Sequence, residues 1–469
     1  MRRPAGHAGA VTQEYSHPAD RPPPRTVEDG AYEHQGTREI SIPPPAGRNG
    51  TPQERFPVPR RSPRPVSALR DRRWTRVAAL VLITGLLGCG LWMLRWSGTA
   101  STTTPDTFWY ARDALRYAGH APADADRTAA KITCGGISPE VTRSKLNYPQ
   151  CVRYRTNLPT TAPERFQRIF TSRPGYPLLA VPFVRVMGPG GFIAATAAVG
   201  VACGVAVAVL ALLIGLRLPQ ALMAETLFYL LPTGLWGTRL LAEAPMMLCL
   251  LVALLATVLL LRGRAVKSAA GLLAGALALC CAVKPANGVA LAAALAGGAV
   301  LSLPRASSRR PFLLVAGIAM VVLAGNMWIT SALHLPSVHE TLQDTFTRHF
   351  RRPDVADPWP RLFAAMESMW AEAARTRMLD VPLVPAAFVS AAVGLFTRVH
   401  PDAAWPLALA GLTGAVVASV HPLIYEFDRL SVVAWVPVAF GLAALTARCS
   451  APAPLAVTDR RPCRGAAGW

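Results

Sequence analysis

Long apolar segments separated by short polar loops dominate the chain from residue 77 onward. A transmembrane helix needs about 20 predominantly apolar residues to cross the hydrocarbon core of a bilayer. The hydropathy pattern contains about ten such segments, so it predicts an all-α polytopic membrane protein. The predicted spans are 77–94, 192–216, 219–236, 240–261, 268–283, 286–303, 311–333, 379–397, 404–420 and 430–447.

A further apolar segment, 176–187, is shorter and contains Pro177, Pro182 and Arg185. It could be an eleventh span, an interfacial helix or a re-entrant helix. Ten spans that start in the cytoplasm place most Lys and Arg residues of the short loops on the inner side, as the positive-inside rule requires. Because an eleventh span would invert every later loop, we predict that 176–187 does not cross the membrane.

This topology divides the chain into three regions. Residues 1–76 are rich in Pro and Arg and poor in apolar residues, which predicts a disordered cytoplasmic tail. Residues 77–447 form the transmembrane domain, whose large loops 95–191 and 334–378 face the outside. Residues 448–469 form a cytoplasmic C-terminal tail. We therefore expect a multi-pass protein of the cell membrane with both termini in the cytoplasm.

Composition and charge narrow the class of protein. Hydrophobic residues make up 52% of the 469-residue chain and charged residues 16%, whereas soluble domains carry about 25% charged residues. These values exclude a single large soluble enzyme. The formal net charge of +21 would suggest nucleic-acid binding in a soluble protein. Here the Lys and Arg residues lie before and between apolar segments, so the predicted partner is the lipid bilayer and not nucleic acid.

Two of the nine cysteines, Cys134 and Cys151, lie in the first predicted outer loop. Disulfides form in oxidising compartments such as the cell exterior. This pair could therefore be bonded, although two free thiols fit the sequence equally well. Five other cysteines lie in apolar segments, where we interpret them as small packing residues.

Polar residues near the ends of the spans concentrate on the predicted outer face. Charges at a membrane are costly unless they are paired or face water. Side chains from five separate segments therefore predict an outward-facing cavity at the membrane surface. The candidates are Asp106, Asp113, Arg173, Arg239, Glu243, Lys284, Asn287, His421, Tyr425, Glu426, Asp428 and Arg429.

Asp106 is the leading candidate for chemistry. With Pro105 it suits the start of a helix, and Asp113, seven residues later, would share its helical face. The Asp106 carboxylate could act as a general base or bind a metal. Alternatively it caps the helix, since Asp is a preferred N-cap residue.

The other charged candidates also have structural interpretations. Arg239 and Glu243, four residues apart, could form an ordinary helix pair or could bind and orient an anionic ligand. Lys284 could hold a phosphate as a point charge, or it could extend to the membrane interface. Arg429 could bind a phosphate bidentately or pair with a neighbouring acidic residue.

These motifs resemble those of the GT-C superfamily of integral-membrane glycosyltransferases, over roughly residues 77–447. Asp106, in DTFWYARDALRYAG at 106–119, looks like the acidic motif that follows the first helix in that family. SRPGYPLL, with Arg173, resembles the end of its first outer loop. TRLLAEAP, with Arg239 and Glu243, resembles an outer turn, and YEFDR, ending at Arg429, resembles a late arginine motif.

The resemblance implies transfer of a sugar from a polyprenyl-phosphate donor to an extracytoplasmic lipid, glycan or protein acceptor, with inversion at the anomeric carbon. Asp106 would be the catalytic base. The resemblance and the clustering together select as substrate-binding residues Asp113, Arg173, Arg239, Glu243, Lys284, His421, Tyr425 and Arg429.

One departure concerns the family motif. Many relatives have two adjacent acidic residues in the first loop, whereas Thr107 follows Asp106 here. The single Asp looks more like the bacterial polyprenyl-phosphomannose-dependent mannosyltransferases. The sequence assigns no cofactor with certainty, and a requirement for a divalent metal stays open. The alternative function is a transporter or flippase of a polyprenyl-linked or other anionic lipid, which would use the same basic residues without a base.

Overall fold

The computed structural model describes residues 66–137, 146–306 and 308–446, and every regular element in these ranges is helical. The first ten α-helices are α1 (Val66–Ser97), α2 (Thr107–Tyr117), α3 (Pro122–Gly135), α4 (Tyr148–Thr156), α5 (Leu158–Thr161), α6 (Glu164–Thr171), α7 (Gly175–Met187), α8 (Gly191–Leu213), α9 (Leu218–Leu230) and α10 (Pro232–Gly237). They are followed by α11 (Glu243–Leu261), α12 (Val266–Val283), α13 (Pro285–Ser302), α14 (Arg310–Ala332), α15 (Val338–Phe346), α16 (Pro358–Ala373), α17 (Leu383–Arg398), α18 (Pro401–Val420), α19 (Phe427–Leu430) and α20 (Trp435–Leu445).

Seven helical segments of the described chain are long and apolar enough to cross a membrane. The count rises to nine if each of two bent helix pairs is one span, the bends being 87° after Leu379 and 44° after Leu430. The described part of the chain is therefore all-helical and has the character of a multi-pass membrane protein, whereas the finer count of ten is not confirmed. The seven segments are Val77–Ser97, Gly175–Leu213, Glu243–Leu261, Val266–Val283, Pro285–Ser302, Arg310–Ala332 and Pro401–Val420.

The predicted span 219–236 is divided in the structure. Helix α9 ends at Leu230 and α10 begins at Pro232. Proline lacks the amide hydrogen that would continue the helix and disfavours helical geometry in the residue before it; Leu231 accordingly has ψ of 172°. At 1.5 Å per residue α9 is about 20 Å long, which is shorter than the hydrocarbon core.

Helix α7 covers the segment 176–187. It is joined to α8 by a turn at Gly188, whose φ of 62° suits a residue without a side chain. The two helices pack together, because the Tyr176 ring lies 5.1 Å from that of Phe192 and its hydroxyl lies 2.6 Å from Thr196 Oγ1. Gly175–Leu213 as a whole is one continuous apolar helical segment that is long enough to cross a membrane. The structure therefore does not test whether 176–187 alone crosses it, and the non-spanning assignment stays a prediction.

A buried carboxyl lies where α1, α8 and α9 meet. Glu225 is fully buried, and neither of its carboxyl oxygens has a hydrogen-bond partner. A Cβ atom at Gly204 would lie 2.8 Å from Glu225 Oε1 and 2.6 Å from the Tyr229 hydroxyl. The same carboxyl oxygen also approaches Gly88 of α1. Small residues here let the three helices approach closely around the two polar groups.

The two ends of α11 separate two groups of polar residues. At its C-terminal end, Arg262 donates a hydrogen bond to the backbone carbonyl of Leu213 at the end of α8. At its N-terminal end, Glu243 meets Lys284, which follows α12. Residues predicted for inner loops and residues predicted for the outer face therefore lie at opposite ends of this helix.

In the sequence, helices α2–α6 and α15 lie between apolar segments. In the structure they lie at the end of α11 that carries Glu243. A disulfide joins Cys134 of α3 to Cys151 of α4, with 6.0 Å between their Cα atoms. Of the two interpretations of these cysteines, the bonded pair is therefore the one observed. The predicted C-terminal tail and residues 1–65 lie outside the described residues, while α1 begins at Val66, inside the segment predicted as a tail.

Candidate active site

Asp106 immediately precedes α2, in the N-cap position. Its side chain nevertheless accepts no hydrogen bond from the first turn of that helix. Instead its Oδ2 accepts one from Nη1 of Arg429 at 2.8 Å. The capping interpretation is therefore wrong for the side chain, which is turned toward another part of the protein.

Arg429 lies at the centre of three carboxylates. Besides Asp106, its Nη2 donates to Glu426 at 3.0 Å. Its Nε lies 3.3 Å from Glu243 Oε1, an ion-pair contact whose angle does not make a hydrogen bond. The short helix α19 presents this side chain, which is 15% exposed. Each of the three guanidinium nitrogens thus lies next to a different acidic residue.

Glu243 and Lys284 form the buried base of this cluster. Glu243 Oε1 accepts a hydrogen bond from Lys284 Nζ at 3.1 Å, and the two side chains are 3% and 9% exposed. Glu243 is the first residue of α11, and Lys284 lies between α12 and α13. Burial lowers the pKa of the Lys284 ammonium, and the Glu243 carboxylate opposes that effect.

The predicted helix pair between Arg239 and Glu243 is not formed. Because α11 begins only at Glu243, the two residues do not share a helical turn. The Arg239 guanidinium instead lies over the ring of Trp236, 4.1 Å from its centroid. Glu243 is left for Lys284 and Arg429, which neutralise it from two sides.

The surroundings of Asp106 keep its carboxylate ionised. Burial by itself would raise the pKa of the Asp106 carboxyl. The charge and hydrogen bond of Arg429, with smaller contributions from Arg173 and His349, outweigh burial and hold that pKa below its usual value. At neutral pH Asp106 is therefore a carboxylate able to accept a proton, fixed in orientation by one donor.

A cavity of about 480 Å³ opens beside this cluster. Asp106, Glu426 and Arg429 form one side of it, and Tyr425 lies at its edge with 73% of its surface exposed. Apart from Trp236 of α10, the remaining wall comes from loops and short helices of the two predicted outer regions. It consists of Thr104, Pro105, Trp109, Tyr154, Arg155, Leu158, Ala162, Pro163, Phe166, Trp236, His349 and Arg351.

Three basic residues of this wall were not among the sequence candidates. Arg155 lies on α4, and His349 and Arg351 follow α15. His349 Nδ1 lies 3.1 Å from Asp344 Oδ1, and this hydrogen bond raises the pKa of the imidazole. Arg348, His349 and Phe350 all have positive φ, between 55° and 61°. Such a turn is unusual for side-chain-bearing residues and has no hydropathy signature.

Arg173 and His421 lie close to the cluster without joining its ion pairs. Arg173 acts electrostatically on Asp106 and His421. His421 Nδ1 lies 2.9 Å from Thr345 Oγ1, and its Nε2 lies 3.8 Å from Glu426. Burial, together with Arg429 and Arg173, lowers the pKa of His421 to about 4, so the ring is neutral at neutral pH.

Asp113 is separate from the cavity. Its Oδ1 lies 2.8 Å from Nη2 of Arg112, and both side chains are buried. Burial raises the pKa of the Asp113 carboxyl, and Arg112 opposes that effect. The shared helical face expected for Asp106 and Asp113 thus does not bring them to one cavity wall, because Asp106 precedes the helix.

The described residues contain no group of three or more His, Cys, Asp or Glu side chains arranged to hold a metal ion. Around Arg429, the guanidinium occupies the space between the three acidic side chains. A comparison with protein-family models and a comparison with curated proteins each find no match to this chain.

Proposed function

We propose that the protein is an integral-membrane glycosyltransferase that moves a sugar from a polyprenyl-phosphate donor to an extracytoplasmic lipid, glycan or protein acceptor. The observation that carries this proposal is the position of Asp106. Its carboxylate caps no helix, is ionised at neutral pH, and lines a cavity at one end of the apolar helices.

In the proposed reaction, Asp106 accepts the proton of an acceptor hydroxyl as the hydroxyl oxygen attacks the anomeric carbon of the donor sugar. The bond between that carbon and the phosphate oxygen breaks, and polyprenyl phosphate leaves with the bonding electrons. A single displacement inverts the anomeric centre. Negative charge grows on the leaving phosphate, so cations in the cavity lower the barrier.

The disulfide supports the proposed orientation. Structural disulfides persist in oxidising compartments and are rare in the bacterial cytoplasm. Cys134 and Cys151 lie in the region that forms the cavity wall, close in sequence to Arg155. An oxidised pair at this end favours an extracytoplasmic cavity, with the opposite end, which carries Arg262, facing the cytoplasm.

Turnover by the purified protein tests the proposal. The full chain in lipid nanodiscs is supplied with a panel of labelled polyprenyl-phosphate sugars and a crude envelope-lipid acceptor pool. We expect wild-type protein to release polyprenyl phosphate, and Asp106→Asn to lower the rate by about 100-fold or more. Asp124→Asn, an exposed Asp on α3, is the matched control and keeps its activity.

Two results distinguish the alternatives. Equal rates for wild type and Asp106→Asn would eliminate Asp106 as the base. Binding of donor by both proteins with turnover by neither, in the presence of acceptor, would favour the transporter or flippase. A folded Asp106→Asn protein, shown by an unchanged size-exclusion profile, is needed before a loss of rate is assigned to chemistry.

A further inference from the structure

The cavity contains two kinds of cation. Arg429 lies within 3.3 Å of three carboxylates, and their negative charges offset its own. Within the described residues, neither Arg155 nor Arg351 forms an ion pair with a carboxylate, and Asp106 acts on Arg155 only through its charge at longer range. An anionic ligand at Arg429 would meet the repulsion of three carboxylates, whereas Arg155 and Arg351 have no carboxylate in direct contact.

The burial of Arg155 is the strongest evidence for an anion-binding site in the cavity. Its side chain is buried, with only 9% of the residue exposed, and its Nε has no hydrogen-bond partner. One contact is made by Nη1, which donates to the backbone carbonyl of Pro105 at 3.3 Å. Burying an arginine without an acidic partner is costly, and a bound anion would offset that cost.

The contact with Pro105 places this cation beside the proposed base, because Asp106 is the next residue. Besides Arg155 Nε, the same wall contains a second donor without a hydrogen-bond partner, the buried indole Nε1 of Trp236. His349, whose imidazole is oriented by Asp344, adds a third basic side chain beside Arg155 and Arg351. Arginine forks and N–H donors of this kind suit phosphate oxygens.

We propose that Arg155, His349 and Arg351 form the phosphate-binding subsite of the cavity, and that Arg429 positions Asp106 instead of holding the phosphate. The ligand is a phosphate ester, either the headgroup of a lipid or a soluble phosphate. The identification of the ligand as a polyprenyl lipid rests on the proposed function. The binding of an anion rests only on the residues that line the cavity.

The scaffold of Arg155 fits such a role. Helix α4 begins with a capping box between Asn147 and Gln150, and Cys151 ties its first turn to α3. Arg155 follows four residues after that disulfide. The side chain is therefore presented by a short helix fixed at its start, which lowers the entropic cost of ordering it around a ligand.

The test measures binding of geranylgeranyl phosphate to the full chain in nanodiscs by calorimetry, with geranylgeraniol as the neutral control and inorganic phosphate as a competitor. Arg155→Gln and Arg351→Gln should each weaken binding about 10-fold or more. Two matched controls remove the same charge nearby. Arg153→Gln, on the exposed side of α4, and Arg352→Gln, which does not line the cavity, should bind as wild type does.

The outcomes separate this inference from the proposed function. If inorganic phosphate binds with the same dependence on Arg155 and Arg351 while the lipid phosphate does not bind, the subsite stands and the polyprenyl donor is wrong. If lipid phosphate binding survives in Arg155→Gln and Arg351→Gln but is lost in Arg429→Gln, the subsite is wrong and the donor stands. If neither phosphate binds wild-type protein, the subsite is overturned, and the turnover assay alone decides the function.

Discussion

Nη1 of Arg429 donates to Oδ2 of Asp106 across 323 residues of sequence, at 2.8 Å. This contact links the loop after the first span to the segment before the last helix. It also accounts for the ionisation of Asp106, because the guanidinium counteracts the effect of burial. The first prediction tests that electrostatic link.

Arg429→Lys should shift the acid side of the pH–rate profile to higher pH. Lysine keeps one charge but cannot direct a planar fork at three carboxylates. The pKa of Asp106, which Arg429 lowers, then rises toward its ordinary value, so a larger fraction is protonated in mild acid. We expect kcat/KM to fall about 10-fold or more. Steady-state kinetics across pH measure both effects, and Arg361→Lys, in an exposed pair with Asp357, is the control.

An acid side that stays in place in Arg429→Lys would contradict this link. It would mean that another group sets the ionisation of the base, or that the base is not Asp106.

Lys284→Met should destabilise the fold, because it removes a partner from the buried Glu243 carboxylate. Breaking one side of a buried ion pair costs about 3–5 kcal/mol. Lys267→Met, at an exposed position in the first turn of α12, should have little effect. Thermal unfolding in detergent gives the comparison. The double variant Lys284→Met with Glu243→Leu should regain part of the loss, and a double variant as unstable as the sum would refute the pairing.

Removal of the disulfide should act on the cavity as well as on stability. Cys134→Ser with Cys151→Ser opens a loop of 17 residues, for which loop-closure entropy predicts about 3 kcal/mol. Because α4 carries Arg155, we also expect KM for the donor to rise. Cys89→Ser, an exposed free cysteine, is the control. Unchanged KM and unfolding temperature in the double variant would show that α4 is held by its packing alone.

Asp344→Asn should change the pH dependence of phosphate affinity. Asp344 raises the pKa of His349, with support from Asp106 and Glu426. In wild-type protein the imidazolium is retained to higher pH and affinity falls as pH rises through its pKa. Without Asp344 that pKa drops, so the fall should begin at lower pH. Calorimetric titration with geranylgeranyl phosphate across pH measures the midpoint.

His349→Gln provides the companion measurement. The second ionisation of the phosphate monoester, with a pKa of about 6, remains, but Asp344→Asn should no longer change the midpoint once His349 is absent. An identical midpoint in wild-type protein and Asp344→Asn would exclude His349 as the titrating group.

Gly204→Ala should destabilise the membrane bundle by about 1–3 kcal/mol through overpacking. The added methyl group would lie 2.6 Å from the Tyr229 hydroxyl and 2.8 Å from Glu225 Oε1, so these two buried side chains would have to shift. Gly275→Ala meets no atom within 4 Å and serves as the control. Equal unfolding temperatures for the two variants would show that the helices around Glu225 can separate without cost.

The apolar pattern predicted the membrane-embedded part of the fold because burial in lipid imposes a length and composition on each span. It did not predict the break at Leu231. Pro232 indicates a break, but it lies within a long apolar segment that satisfies the length of a single span. The polar residues at the span ends predicted that Asp106, Glu243, Lys284 and Arg429 would meet, and they do.

The rest of the site depends on loop conformation, which periodicity does not encode. His349 reaches the cavity through a turn of three consecutive residues with positive φ. Arg155 reaches it from a short polar helix tied by a disulfide. The role of the Asp106 side chain could not be predicted for a related reason. Whether it caps α2 or forms an ion pair depends on Arg429, which is 323 residues away in the sequence.

The distance in sequence between Asp106 and Arg429 also sets an order of events during synthesis. Domains form from the N-terminus as the chain is made. Lys284 arrives 41 residues after Glu243, so that buried pair can close while the later helices are still missing. Asp106 acquires its partner only when the segment before the last helix has been inserted. A chain interrupted before residue 429 would therefore contain most of the helices but an unassembled centre, which makes complete insertion a precondition for the proposed chemistry.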